Sequence, residues 1–251
     1  MKRAAFVLLF ALVAGISVRV VLAQSPDDSL HAPSGGVRTM VISIAVPPLP
    51  GAPFTATVTT EWKRSLDDGS TVTIGNHRTI ARDNSGRVFE ERRNLYPSGD
   101  PRENDINRLE FDDPRAHTQT TCWPSGHVCQ ITGYFRDAFT PPAVPAGPLE
   151  GGKAFLTRIE LGHDSVAGVD AIGTRETTQI EAGAFGNDRA VNVVKEFWYS
   201  PQLEVNLIEK RQDPRYGSQT FTVSPISLGE PDAKLFDIPA GFRIEDKRTP
   251  N

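Results

Sequence analysis

Apolar and polar side chains alternate through most of this chain, and the period is two. Between Phe54 and Trp62, Phe54, Ala56, Val58, Thr60 and Trp62 interleave with Thr55, Thr57, Thr59 and Glu61. That spacing places one set of side chains on each face of a β-strand. Thr71 to Arg82 repeats the pattern with Val72, Ile74 and Ile80. Val88 to Leu95 and Arg108 to Phe111 follow. The breaks between them, Asp67-Asp68-Gly69, Asp83-Asn84-Ser85-Gly86 and Asp112-Asp113-Pro114-Arg115, have the chemistry of tight turns. The second half reads the same way. Phe155 to Leu161, Val191 to Tyr199, Leu203 to Lys210 and Gln219 to Ile226 are predicted strands, and in Val166 to Ile180 Gly168 and Gly173 bracket or kink paired strands. They are separated by Gly183 to Arg189, Ser200-Pro201-Gln202 and Asp213-Pro214-Arg215-Tyr216-Gly217. Leu203, Val205, Leu207 and Glu209 share one face. No segment sustains a 3.6-residue apolar stripe, although Ala182 to Val194 has room for a short helix. Glu230 to Phe236 has the form of one helical turn with acidic residues at its start. Hairpins at this spacing predict an antiparallel meander.

Two stretches depart from the pattern. Residues 1–23 have basic Lys2 and Arg3, an apolar run from Ala4 to Val18, and Val21-Leu22-Ala23 before Gln24. This is the layout of a secretory signal peptide with cleavage after Ala23. Arg19 interrupts the apolar run at about fifteen residues, short of the roughly 20 needed to span a bilayer. No later run approaches that length, so no transmembrane segment is expected after signal removal. The product is expected in the periplasm or outside the cell. Residues 24–36 read as a flexible mature terminus, 37–245 as a single β domain, and 246–251 as a tail. Val37 to Val46 is β-prone. The second departure, 140–152, is rich in Pro and Gly. It cannot continue a strand or helix and reads as a long loop inside the domain.

Export gives the two cysteines meaning. If Pro124 to His127 form a hairpin loop, Trp123 faces Val128 and Cys122 faces Cys129, close enough for a disulfide. The competing set of His117, Cys122, His127 and Cys129 matches no zinc-finger spacing, and no metal is expected.

Composition adds little to the fold but narrows the function. The chain has 251 residues, 21 Gly and 20 Pro, 38% hydrophobic and 23% charged residues, and a net charge of −4. These values suit a globular protein and supply no basic surplus for nucleic acid. Loss of Lys2, Arg3 and Arg19 makes the charge three units more negative. No nucleophile elbow, zincin motif, phosphate loop or dinucleotide fingerprint is present. Asp67-Asp68 and Asp112-Asp113 read as turn residues. His163-Asp164-Ser165 is contiguous on a strand, so its neighbours point to opposite faces. No cofactor and no catalytic residue is assigned.

Three stretches carry a family resemblance. They are Gly168-Val169-Asp170-Ala171-Ile172-Gly173-Thr174-Arg175, then Trp198 to Leu203 continuing to Lys210 through Gly217, then Glu230-Pro231-Asp232 with Leu235 to Phe242. Their order resembles uncharacterised secreted proteins of soil bacteria and, more distantly, LolA-like periplasmic half-barrel proteins, over residues 155 to 245. The resemblance implies a mainly β fold, an antiparallel curved sheet or partial barrel with few short helices. It also implies an apolar concave face that holds acyl chains. Trp62, Trp198, Tyr199 and Phe221 are the candidate ligand-binding residues. The expected function is a non-catalytic exported envelope module, structural or protein-binding. The alternative is a carrier for a lipid-like hydrophobic molecule.

Overall fold

The computed structural model describes residues 44–133, 144–149 and 151–248. The proposed signal peptide and flexible terminus, and residues 37–43 of the β-prone segment, lie outside them. So do residues 140–143 and 150 of the Pro-rich stretch and residues 249–251 of the tail.

Thirteen strands form one sheet. The first six are β1 (Phe54–Ser65), β2 (Thr71–Arg82), β3 (Val88–Arg93), β4 (Ile106–Asp113), β5 (Thr118–Trp123) and β6 (Val128–Gly133). The next six are β7 (Gly147–Pro148), β8 (Ala154–Val166), β9 (Val169–Ile180), β10 (Val191–Ser200), β11 (Val205–Asp213) and β12 (Gly217–Leu228), and β13 is Arg243–Asp246. The spatial order is β13-β6-β5-β4-β3-β2-β1-β12-β11-β10-β9-β8-β7. The chain therefore builds two antiparallel meanders outward and inward. β1 to β6 walk to one edge, the chain crosses to the other, and β7 to β12 walk back until β12 docks on β1. Only β13 is parallel to its neighbour, β6.

This connectivity forces curvature. Eleven strand steps separate β6 from β7, about 53 Å along a flat sheet at ~4.8 Å per step. The chain from the end of β6 at residue 133 to the start of β7 at residue 147 reaches at most about 50 Å when fully extended. The two edges must approach each other, and the mainly β, curved antiparallel sheet expected from the sequence is what forms.

Local chemistry sets the hairpins. β1 pairs with β2 in unbroken register from Phe54↔Arg82 to Ser65↔Thr71. The Asp83 carboxylate closes the β2–β3 turn by accepting the backbone N–H groups of Ser85 and Arg87 at 2.9 and 2.8 Å. Asp232 caps a single 3-10 turn, Ala233–Phe236, by accepting the Lys234 N–H. This is the helical turn read in the sequence. Three expectations are corrected. Ala182 to Asn187 is a loop ordered by Asn187, whose amide donates to the Glu181 and Arg189 carbonyls, and β10 begins at Val191. Residues 44–46 lie outside any strand. Gly147–Pro148 forms a short edge strand against Phe155 and Leu156, where a missing N–H is tolerated.

Two cores lie on opposite faces. On the first, Ile44 and Val46 pack with Phe54, Val58, Ile80, Leu207, Phe221 and Val223. Residues 44–52 form a strap over this face. Arg82 fixes the strap, donating to the carbonyls of Ala52 (2.9 Å), Pro47 (2.9 Å) and Leu203 (2.8 Å) while its guanidinium lies over the Phe54 ring. Farther along the same face a charged row is buried. Arg78 donates to the Ile44 carbonyl, Arg92 contacts Glu90 and Glu110, and Arg108 contacts Glu110 at 2.6 Å. On the opposite face Ala81, Phe89, Phe111 and the sulfurs of Cys122 and Cys129 form the second core. Leu235, Phe236, Ile238 and Phe242 of the C-terminal segment pack against it. Cys122 and Cys129 are directly opposed and bonded, with Trp123 opposite Val128 as expected. Being oxidised, they offer no thiolate to a metal. The His127 and Phe242 rings pack in a tilted arrangement, 5.4 Å between ring centres.

Candidate functional site

The four aromatic residues singled out in the sequence do not share one surface. Phe221 pairs with Thr60 and Glu209 in the row of Phe197 and is buried in the first core. Trp198 lies opposite Ile208 and Gly173 and packs, half-buried, against the first core, where a break in register between Trp198 and Tyr199 interrupts the simple alternation from Phe197. Tyr199 is half-buried beside Ile172 and Asn206. Trp62 is half-buried on β1, and its indole N–H donates to the Tyr216 carbonyl at 2.6 Å.

That last bond leads to a surface the sequence reading treated only as turns. The β1–β2 turn, the β9–β10 loop and the β11–β12 turn all lie at the same end of the sheet, because β1, β9 and β11 run toward it. Trp62 ties the β11–β12 turn to β1. Gly217 allows this approach, since a Cβ there would lie 2.0 Å from the Lys63 carbonyl oxygen. Asp213 then shapes the turn. Its two carboxylate oxygens accept Arg215 Nε and Nη2, both at 2.8 Å, together with Arg211 Nη2 at 3.1 Å. Burial alone would push the Asp213 carboxyl up, but these guanidinium bonds outweigh it and hold the pKa below the usual carboxylate value. Arg215 is raised in turn by its bond to Asp213. So oriented, the Arg215 guanidinium lies 5.0 Å from the Phe185 ring centre and 5.2 Å from that of Tyr216.

Leu66, Phe185 and Tyr216 stand 43%, 48% and 51% exposed at this end. Leu66 and Tyr216 border an open groove of about 660 Å³, floored by Val194, Gln212 and Ser218 and flanked by Arg64 and Arg215. Arg64 lies 5.5 Å over the Trp62 ring and makes no ion pair with any described residue. A fixed arginine between two exposed aromatic rings, beside a groove, is the composition of a binding patch rather than of a solvated turn. The sequence signal was the presence of Arg215 and Tyr216 in a turn that small polar residues would have closed.

A second groove of about 550 Å³ opens at the other end of the sheet, between Asp83, Asp113, Glu230, Arg87 and Arg115. Its acids are occupied by turn bonds. Asp113 accepts the Arg115 and Ala116 N–H groups, and Glu230 accepts that of Asn84. Among the described residues no three His, Cys, Asp or Glu side chains are grouped to hold a metal ion. In His163-Asp164-Ser165 the Asp164 carboxylate accepts the Ser165 backbone N–H, a local turn bond. No helix of the described residues is long and apolar enough to cross a membrane.

No protein-family model matches the chain, and no curated protein matches it. Solved structures do. A chain of the Pseudomonas aeruginosa MucA/MucB complex is 15% identical over 77% of this chain and 58% of its own, with a TM-score of 0.37. This chain thus spans about 58% of that structure's length. A LolA superfamily protein from Nitrosomonas europaea is 9% identical over 76% of this chain and 92% of its own, with a TM-score of 0.29. The Mycobacterium tuberculosis lipoprotein LppX is 12% identical over 73% of this chain and 88% of its own, at 0.24. The LolA-like resemblance read in the sequence recurs among these folds.

Proposed function

We propose that this chain is an exported, non-catalytic module that binds a polypeptide partner through the strand-end groove. The observation carrying this reading is the ordered patch of Leu66, Phe185, Arg215 and Tyr216, which nothing in the described chain covers. Tyr and Arg held rigidly at a groove lose little side-chain freedom on binding, which is why such residues dominate interface energetics. The strap argues against the carrier alternative. Ile44 and Val46 occupy apolar surface that an acyl chain would need, and over β2 to β4 the same face carries buried ionic groups.

The test is site-specific photocrosslinking in the source cells. A benzophenone amino acid at Tyr216 should yield one discrete protein adduct. The same group at Ile244, equally exposed on the far sheet edge, should yield none. Equal labelling from both positions removes the site. Stoichiometric lipid in the purified protein, detected by mass spectrometry, replaces the proposal with the carrier reading.

A further inference from the structure

We infer that the occupant of the groove is an acidic, extended polypeptide segment in which carboxylates alternate with apolar side chains. This rests on the reading of the groove as a partner-binding site and names the partner's chemistry. The charge at the groove is opposite in sign to that of the molecule. The chain as a whole carries −4, whereas the groove is flanked by Arg64 and Arg215 and holds one carboxylate, Asp213. Asp213 is 2% exposed, and both its oxygens are engaged by Arg211 and Arg215, so it presents no negative charge outward.

Several nearby charges are engaged, and Asp67 on the β1–β2 turn is not among the residues lining the groove. Asp68 accepts the Ser70 N–H and hydroxyl, Lys63 pairs with Glu61, and Asp188 pairs with Arg189. Among the described residues Arg64 has no carboxylate partner, its guanidinium lying on Trp62 and bordering the groove. A guanidinium so placed takes a carboxylate through parallel N–H bonds. The groove lining combines two chemistries. Leu66, Val194 and Tyr216 offer apolar contact, while Gln212, Asn192 and Ser218 offer donors and acceptors. An extended chain presents its side chains with a two-residue period and meets both. Its acidic positions would face Arg64 and Arg215, its apolar positions Leu66 and Tyr216. Charge complementarity of this kind governs encounter and specificity.

The experiment uses the purified mature protein and a short fluorescein-labelled peptide alternating aspartate or glutamate with leucine. Its controls are the asparagine/glutamine counterpart and a lysine counterpart. Fluorescence anisotropy should show the acidic peptide binding on the order of tenfold more tightly than the amide peptide, with the preference shrinking as salt rises. Arg64→Glu should abolish the preference. Arg243→Glu, at the far edge of the sheet, should leave it intact, and circular dichroism should report an unchanged fold for both. Amide chemical shifts should move at residues 64–66, 192–194 and 213–218. Equal binding of all three peptides, an unaltered preference in Arg64→Glu, or shifts elsewhere would overturn the inference. If that happens while Tyr216 still crosslinks to one protein, the partner-binding reading stands and only the acidic specificity falls. Loss of the Tyr216 adduct removes both.

Discussion

The indole of Trp198 lies across Gly173. The two residues are directly paired between β10 and β9, and a Cβ built at position 173 would sit 2.9 Å from the ring and 2.8 Å from Leu161 Cβ. The glycine thus makes room for the aromatic ring. Gly173→Ala should lower stability by about 1–3 kcal/mol, since the ring must leave its rotamer or the strands must part. Trp198→Leu in the same chain should recover part of that loss. Urea unfolding of both variants measures the coupling.

Arg82 should be worth more than any surface arginine. Its removal leaves the carbonyls of Ala52, Pro47 and Leu203 buried without their donor. Arg82→Met should cost at least about 3 kcal/mol, given roughly 1–3 kcal/mol for each unsatisfied buried group. Early proteolytic cleavage within residues 44–52 should accompany the loss, showing that the strap has come away. Arg82→Lys should restore little, because one ammonium cannot reproduce the planar fork.

Acid should weaken the fold through Glu196. Burial alone would push its carboxyl up. Hydrogen bonds from Arg175, Lys210 and Trp198 outweigh burial and hold the pKa at about 2, against an ordinary value of 4.5. A carboxylate depressed in the folded state contributes its stability above the unfolded value and loses it as pH falls from about 4.5 to about 2. Arg175 and Lys210 are partly exposed, so screening limits the effect to about 1–2 kcal/mol. Chemical denaturation across this window should show a flatter acid limb for Glu196→Gln than for the native chain.

Reducing the Cys122–Cys129 bond should be difficult without unfolding, because both sulfurs are buried in the second core. The paired serine variant should lose about 2–3 kcal/mol, in keeping with a short closed loop. Its melting temperature, compared with the native protein with and without reductant, measures this.

Cleavage of the proposed leader should leave Gln24 as the first residue of the exported protein. Intact mass and N-terminal sequencing of secreted material give the answer directly. Retention of residues 1–23 would contradict export by this route.

Much of the sheet was legible because alternation and turn chemistry are local. The β1 pattern, the hairpin that opposes Cys122 to Cys129, and the turn at Ala233–Phe236 follow from neighbours a few residues apart. Long-range register was not legible. Nothing in the sequence says that β12 lies beside β1, so nothing brings Phe221 of β12 and Phe54 of β1 into one core. Nor does alternation reveal a buried Arg82 or Glu90, since their polar positions read as solvent-facing until the strap and the charged row are known. The groove was missed for the same reason. It is assembled from the β1–β2 turn and, more than a hundred residues later, the start of β10 and the β11–β12 turn, and each alone has only local meaning.

The seam between β1 and β12 has a consequence for how the protein is made. On a nascent chain β1 emerges early and holds β2 on one side, while its other edge waits for residues 217–228. Closing that gap brings together segments far apart in sequence, a slow step in chain organisation. Any product truncated ahead of residue 217 keeps a raw, sticky margin in the middle of what should be continuous fabric. Assembly is therefore deferred until nearly the whole polypeptide is present.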